Sequence, residues 1–266
     1  MTKIDIVPRS QRGFALLIVL WTMVLLSLLF SRIVGQGRSE MEIASNLRNA
    51  AALGAEVDGI VYRAIFDLLS PAAAVMPTAS ITYRLKLPDG LATVEITDLG
   101  GRVNPNIASP ALMSALLQQV GAQQMDAASV AEAILDWRSP DTQGRFEAPA
   151  YQQAGLTYAP AGAPFASIDE LGLVLGMTPD LLEKLAPHLS LYNRDNPSFD
   201  LADPVVRHAL TALGSSEGNQ QRRPPRDVTI VAAILRKDGT RSERRSDVEL
   251  HISSVPEGFR ILTWED

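Results

Sequence analysis

The chain has 266 residues, 46% of them hydrophobic and 20% charged, which is enough apolar material for at least one full core and too much for a disordered polypeptide. A formal net charge of −6 argues against a general nucleic-acid binder, whose phosphate affinity comes from accumulated Lys and Arg. With no cysteine in the chain, disulfides, thiolate zinc sites and thiol catalysis are all excluded.

The chain opens on a basic leader, in which Lys3, Arg9 and Arg12 precede an uninterrupted apolar run. Residues 14–30 carry no ionisable side chain and would make a helix of roughly 25 Å. A hydrocarbon core is about 30 Å thick, and residues 31–35 close the gap once Arg32 snorkels to the interface. The segment can therefore cross a membrane, with its positively flanked N-terminus cytoplasmic. A cleaved secretory signal is the competing reading: Gly35-Gln36-Gly37 supplies a small-x-small site, although the apolar run exceeds the usual length of about 7–15 residues. Beyond the run, Ile43, Leu47, Ala50, Gly54, Val57, Val61, Ala64 and Leu68 recur at spacings of four and three, with Glu40, Glu42, Arg48, Glu56, Asp58, Arg63 and Asp67 off that stripe. This predicts an amphipathic helix continuous with the span and ending at Ser70, because Pro71 pushes its predecessor out of the helical region.

Next, Ile81, Tyr83, Leu85 and Leu87 alternate with polar residues, and Pro88-Asp89-Gly90 turns the chain into residues 91–97, a hairpin. Ser109-Pro110 opens a helix stopped by Gly121, and residues 127–137 read as another. Ser167-Ile168-Asp169-Glu170 is a capping box before residues 171–175, Gly176 closes that helix, and Thr178-Pro179 and Asp203-Pro204 start two more. Residues 214–226, with Arg222-Arg223-Pro224-Pro225, read as a solvated linker. Residues 228–235 are strand-like, Lys237-Asp238-Gly239 turns, and Val248, Leu250 and Ile252 mark a return strand. Phe259, Ile261 and Thr263 offer a last short one. The fold class is α+β: a long N-terminal helix on an antiparallel sheet, with a large all-helical domain inserted between strands. The expected boundaries are residues 1–13 (leader), 14–70 (helix), 71–101 (first strands), 102–217 (insertion) and 218–266 (second strands).

Arg12-Gly13 followed by Phe14-Ala15-Leu16-Leu17-Ile18-Val19-Leu20 resembles the class III leader junction of type IV pilins and type II secretion pseudopilins. The resemblance implies that a prepilin peptidase at the inner membrane cuts between Gly13 and Phe14 and methylates the new N-terminal Phe14. Most members carry glutamate at the fifth mature position, where this chain has Ile18. A carboxylate among packed apolar helices is costly unless paired, and in the family it pairs with the N-terminal amine of a neighbouring subunit. A subunit with Ile18 lacks that pairing and fits the filament tip, and an apolar residue there is typical of the K-type minor pseudopilins. Three further phrases are similar to that family's recurring segments: Asp98-Leu99-Gly100-Gly101-Arg102-Val103-Asn104-Pro105-Asn106, Ile134-Leu135-Asp136-Trp137-Arg138, and Ser167-Ile168-Asp169-Glu170-Leu171 leading to Gly176-Met177-Thr178. The resemblance implies a non-enzymatic minor pseudopilin of a type II secretion system, single-pass in the inner membrane with a periplasmic body. It would sit at the pseudopilus tip with I- and J-type minor pseudopilins, start assembly and support export of folded proteins. Ile18, Ile43, Leu47, Ala50, Gly54, Val57 and Val61 would meet the partner helices.

Family members can bind calcium in loops of the insertion, which makes Asp136, Asp141 and Glu147 the candidate ligands here, since a hard cation wants several converging oxygens. The alternative is that Asp136 caps a helix end and the other acids are solvated, as fits the Ser139-Pro140 and Ala148-Pro149-Ala150 stretches that stand where the family is richer in acids. No cofactor other than calcium is implied. The stretch 167–188 resembles a helix-hairpin-helix nucleic-acid module, but its turn is followed by Asp180 and its one basic residue is Lys184, so a packing or contact unit is the stronger reading and no nucleic-acid partner is expected. His188, His208 and His251 form no metal-ligand pair, and neither a nucleophile elbow nor a phosphate loop appears.

Overall fold

The computed structural model describes residues 11–70, 79–141, 143–216, 225–251 and 256–265, and of residues 11–13 and 32–40 the backbone alone. Residues 1–10 of the expected leader, Arg222-Arg223-Pro224 of the expected linker and Ile252 of the expected return strand lie outside the described residues. The chain divides into two compact units, Met1–Ala55 and Glu56–Asp266, with the boundary inside the first helix.

That helix, α1 (Gln11–Leu69), is continuous over 59 residues, as the two consecutive periodicities predict. In the first unit its apolar run, Phe14–Ser31, has a mean hydropathy of 2.5, and none of it is buried. A helix satisfies its own backbone polar groups, which is what a lipid environment demands. Thr22 satisfies its side chain in the same way, its Oγ1 donating to the Val19 carbonyl at 2.9 Å. Ile43 and Leu47 are also exposed, as is Ala50.

The second unit is built on an antiparallel five-stranded sheet in the order β1 (Ser80–Leu87), β2 (Gly90–Asp98), β3 (Asp227–Arg236), β4 (Arg241–Leu250), β5 (Phe259–Ile261). Side chains alternate across a strand, and one face carries Ala92, Val94, Ile96, Val228, Ile230, Ala232, Ile234, Val248 and Leu250, all buried. The second half of α1 supplies the facing layer with Val57, Val61, Ala64, Ile65 and Leu68, buried as well. This corrects one expectation. Val57 and Val61 are fully enclosed in the molecule's own core, because the sheet offers them an apolar face within the same chain, so they are not open to a partner helix.

Two ion pairs fix where the helix lies on that face. Arg236 Nη2 meets Glu56 Oε2 at 3.0 Å, and Arg244 Nε meets Asp58 Oδ1 at 2.7 Å. Arg244 also lies 5.4 Å over the Trp264 ring, against which Tyr62 packs at 5.6 Å. These contacts explain why β4, with Ser-Glu-Arg-Arg and no apolar residue before Val248, still forms a strand of the sheet. Its inward Arg244 is desolvated only together with a carboxylate and an aromatic face.

Every α-helix after α1 lies between β2 and β3: α2 (Pro110–Gln119), α3 (Gln124–Arg138), α4 (Ala148–Gln153), α5 (Pro179–Leu185) and α6 (Pro204–Ala212). The predicted starts are built as read. Ser109, Thr178 and Asp203 accept from Leu112, Leu181 and Val205 respectively, each before a proline that needs no hydrogen-bond partner for its nitrogen. Residues 169–173 form a 3₁₀ turn instead of the expected α-helix, and Ala148-Pro149-Ala150 starts a helix, α4, where a loop is expected. The core of this region gathers Leu112, Leu116, Leu117, Ile134, Trp137, Tyr151 and Leu185.

Leu116 is fully buried and Phe66 is 73% exposed. Leu116→Ala is therefore expected to destabilise the full chain by about 2–5 kcal/mol and Phe66→Ala by less than about 0.5 kcal/mol, as read from melting in detergent by tryptophan fluorescence. A methyl group at Gly59 would meet nothing within 4 Å. Gly59→Ala should accordingly raise stability, by up to about 1 kcal/mol from helix propensity.

Candidate functional site

The segment that leaves β2 must turn away from the sheet at once, and its residues are chosen for that. Asp98 accepts from the Gly100 N–H at 2.8 Å and starts a 3₁₀ turn over Leu99–Gly101. Gly101 passes so close to Leu201 that an added Cβ would lie 2.1 Å from its carbonyl oxygen. Three asparagines then bind distant loops through their backbones. Asn104 Nδ2 donates to the carbonyls of Leu191 (3.0 Å) and Asn193 (2.7 Å), while Asn106 exchanges both its amide bonds with Phe165. Asn193 Nδ2 returns a bond to the Arg102 carbonyl at 2.8 Å. Arg138, at the end of α3, donates to the carbonyls of Pro105 and Ala108. A buried asparagine that fills both donors and acceptors specifies one arrangement, since a slip strands them all.

The three phrases picked out in the sequence meet here. Trp137 donates from Nε1 to Glu170 Oε1 at 3.0 Å, and Glu170 Oε2 accepts from the Ala166 N–H at 2.8 Å. Trp137 stacks on Phe165 with an interplanar angle of 7°, and Tyr151 packs beside it. The Tyr151 hydroxyl accepts from the Leu175 N–H at 3.0 Å, and burial pushes its pKa up to about 12. This region is a tied packing unit with no exposed nucleophile–base pair among these residues. The expected helix-hairpin unit has its single base engaged, Lys184 Nζ lying 2.7 Å from Asp180. His188 Nδ1 lies 2.8 Å from Asp203 Oδ2, the same aspartate that caps α6.

Two of the three candidate calcium ligands, Asp136 and Asp141, are occupied separately, and Glu147 is not. Asp136 Oδ2 accepts from the Phe146 N–H at 2.8 Å, and Gly144 lies so close that a Cβ there would be 2.2 Å from the Asp136 Cγ. Asp141 is exposed and accepts from Ser139 Oγ and the Gln143 N–H, bonds that hold its carboxyl below the usual range. Glu147 sits at the N-cap position of α4 with a buried Oε1 that has no hydrogen-bond partner. Among the described residues no group of three or more His, Asp or Glu is placed to hold a metal ion.

Of the expected partner-helix residues, Ile18, Ile43, Leu47 and Ala50 are exposed, and Gly54 is half-buried, with nothing within 4 Å of where a Cβ would stand. Two groups of residues escape sequence reasoning. Tyr62 and Phe66 present aromatic surface on α1 off the predicted stripe. At the junction of sheet and helical region, Glu249 is 3% exposed and opposite Asp227 in the β3–β4 register, with Arg194 Nη2 2.9 Å from Glu249 Oε1. Neither carries a local sequence signal, because only the strand register and a residue 55 positions away in the chain bring the second one together.

Residues 93–194 match the family model described as Type II secretion system (T2SS), protein K. No curated protein sequence matches the chain. Among solved structures, a chain of the GspK-GspI-GspJ complex from the type 2 secretion system of enterotoxigenic Escherichia coli is similar over 86% of this chain and 98% of its own, with a TM-score of 0.58 and 19% identity. At that identity the likeness speaks for the fold. The two findings fall on the same body, since the matched segment runs from β2 through α5, the part tied together by Asn104, Asn106, Arg138 and Trp137. Residues 93–194 of this chain thus carry a protein K domain of the type II secretion system, within a fold similar to that of a chain in the GspK-GspI-GspJ complex.

Proposed function

We propose that the protein is a K-type minor pseudopilin of a type II secretion system, with a mechanical rather than catalytic role. The observation that carries this reading is the coexistence in one chain of a protein K domain with a fully exposed apolar helix of 18 residues near the N-terminus. Phe14–Ser31 anchors the subunit in the inner membrane, Lys3, Arg9 and Arg12 stay cytoplasmic, and the body lies in the periplasm. A prepilin peptidase cleaves between Gly13 and Phe14.

Apolar helix surface left bare in the isolated chain is covered in the assembly by the helices of I- and J-type pseudopilins. Ile18 carries no charge to pair with a subunit ahead of it, which suits a place at the tip. The helical insertion is bulky between two strands of the sheet, and a large head is tolerated where no subunit packs above. At that place the protein starts the pseudopilus, and growth from below helps drive folded substrates outward.

Co-expression of the full chain with the I- and J-type pseudopilins of its own system should recover a complex by affinity purification. Introducing a carboxylate onto the exposed stripe, as in Leu47→Glu or Gly54→Glu, is expected to lower that recovery about tenfold, which corresponds to roughly 1.4 kcal/mol of lost contact, without changing the melting temperature of the free subunit. Undiminished recovery of both variants would remove this stripe from the interface.

A further inference from the structure

The row that closes the sheet beside the helical insertion is made of ionisable groups. Asp227 on β3 stands opposite Glu249 on β4, and Glu249 stands opposite Arg260 on β5. Both carboxyls are buried, at 6% and 3% exposure. Directly opposed residues bring their Cβ atoms to about 4.5–5.5 Å, so two like charges are held side by side away from water.

The surrounding cations do not neutralise the pair evenly. Glu249 Oε1 takes Arg194 Nη2 at 2.9 Å and Arg226 Nη2 at 3.9 Å. Its Oε2 is buried without a hydrogen-bond partner, with Arg260 Nη1 no nearer than 3.9 Å. Asp98, at the end of β2, adds a third buried carboxyl that repels a charge on Asp227. One acceptor, Glu249 Oε2, is thus left open beside a carboxyl that burial, Glu249 and Asp98 push toward the protonated form against the opposing pull of Arg226 and Arg194.

We propose that Asp227 and Glu249 form a proton-operated latch between the sheet and the helical insertion, in which one proton taken up from solvent by Asp227 is donated to the open Oε2 of Glu249. The position gives the latch its leverage. Asp227 begins the strand by which the chain returns from the insertion, and Glu249 holds Arg194, which belongs to the insertion. Next to Arg194, Asn193 binds the carbonyls of Gly100 and Arg102 at the point where the chain leaves the sheet. Closing the carboxyl–carboxylate bond steadies Glu249 for Arg194, so the insertion is held more firmly in acid than at neutral pH.

The sign follows from the direction of the shift. Burial, and then the charge of Glu249, push the Asp227 carboxyl from 3.8 up to about 6. Between those values the folded protein holds a proton that the unfolded chain gives up, so this pair contributes stability that is fully present below about 3.8 and is lost as pH rises from there through about 6. Asp141 and Asp238 are shifted the other way, so the test is a difference between variants.

The full chain in detergent and its Asp227→Asn variant should be melted between pH 4 and pH 7.5. The asparagine amide imitates the neutral carboxyl and can donate to Glu249 at every pH. The variant is expected to melt a few degrees above the wild type at pH 7.5, with the gap narrowing between pH 6 and pH 4. Hydrogen exchange, corrected for the intrinsic effect of pH, should show residues 189–195 gaining protection on acidification in the wild type and staying protected throughout in the variant. Parallel melting profiles would overturn the proposal, as would a protection change at 189–195 that Asp227→Asn leaves intact. A variant that fails to fold would overturn it equally, because the neutral form is the one held to be stable.

Discussion

Apolar helix surface must be covered, and α1 carries more of it than the sheet can reach. The sheet covers one stretch, where Val57, Val61, Ala64 and Leu68 meet a face of alternating Val, Ile and Ala. The same repeat continues toward the N-terminus through Ala50, Leu47 and Ile43 with nothing of the described structure over it, and then gives way to a run with no charge at all. In water such a surface would aggregate; in a membrane and among partner helices it is an asset. The division of α1 into a self-covered part and an uncovered part is what the proposed role of an anchored subunit rests on.

The helical insertion solves a second problem. A segment of more than a hundred residues between neighbouring strands β2 and β3 must leave and rejoin the sheet at almost the same place, since Asp98 and Val228 are partners in the register. Apolar packing alone would hold the helices together without fixing how they sit on that doorway. Directional bonds do so: Asn104, Asn106, Asn193 and Arg138 address individual carbonyls, and the Val103–Leu189 bridge adds a pair of backbone bonds. Within the segment Asp98–Asn106 the side chains of Asp98, Asn104 and Asn106 each have one such task. The Asp227–Glu249 row is the same doorway seen from the strand side, with ionisable groups in place of amides.

Much of this was legible in the sequence, and the reasons for the failures are physical. Period-two alternation locates β1, the Pro88-Asp89-Gly90 turn β2 and a strand-like run β3, each within a residue, and Ser-Pro, Thr-Pro and Asp-Pro pairs locate the starts of α2, α5 and α6, because caps act locally. The return strand was harder: β4 begins at Arg241, several residues before its first apolar side chain, because Arg244 is buried through Asp58 and Trp264 instead of through hydrophobicity. The apolar stripe of α1 is legible as a stripe, yet periodicity cannot tell a core face from a partner face, and Val57 and Val61 belong to the core. The sequence offers Asp136 as a metal ligand or a helix-end cap, and in the structure its carboxylate accepts from the Phe146 N–H beside a glycine with no room for a side chain. The cross-strand carboxyl pair had no local trace whatever.

The central claim is that the uncovered part of α1 begins, in the mature protein, at Phe14 and in the membrane. The most direct measurement is intact mass and N-terminal sequencing of the full-length protein purified from membranes of cells with and without a prepilin peptidase. A start at Phe14 that depends on the peptidase, with the mass of one added methyl group, is the predicted result. A start just beyond Gly37, or an intact Met1 in the presence of the peptidase, would contradict the account.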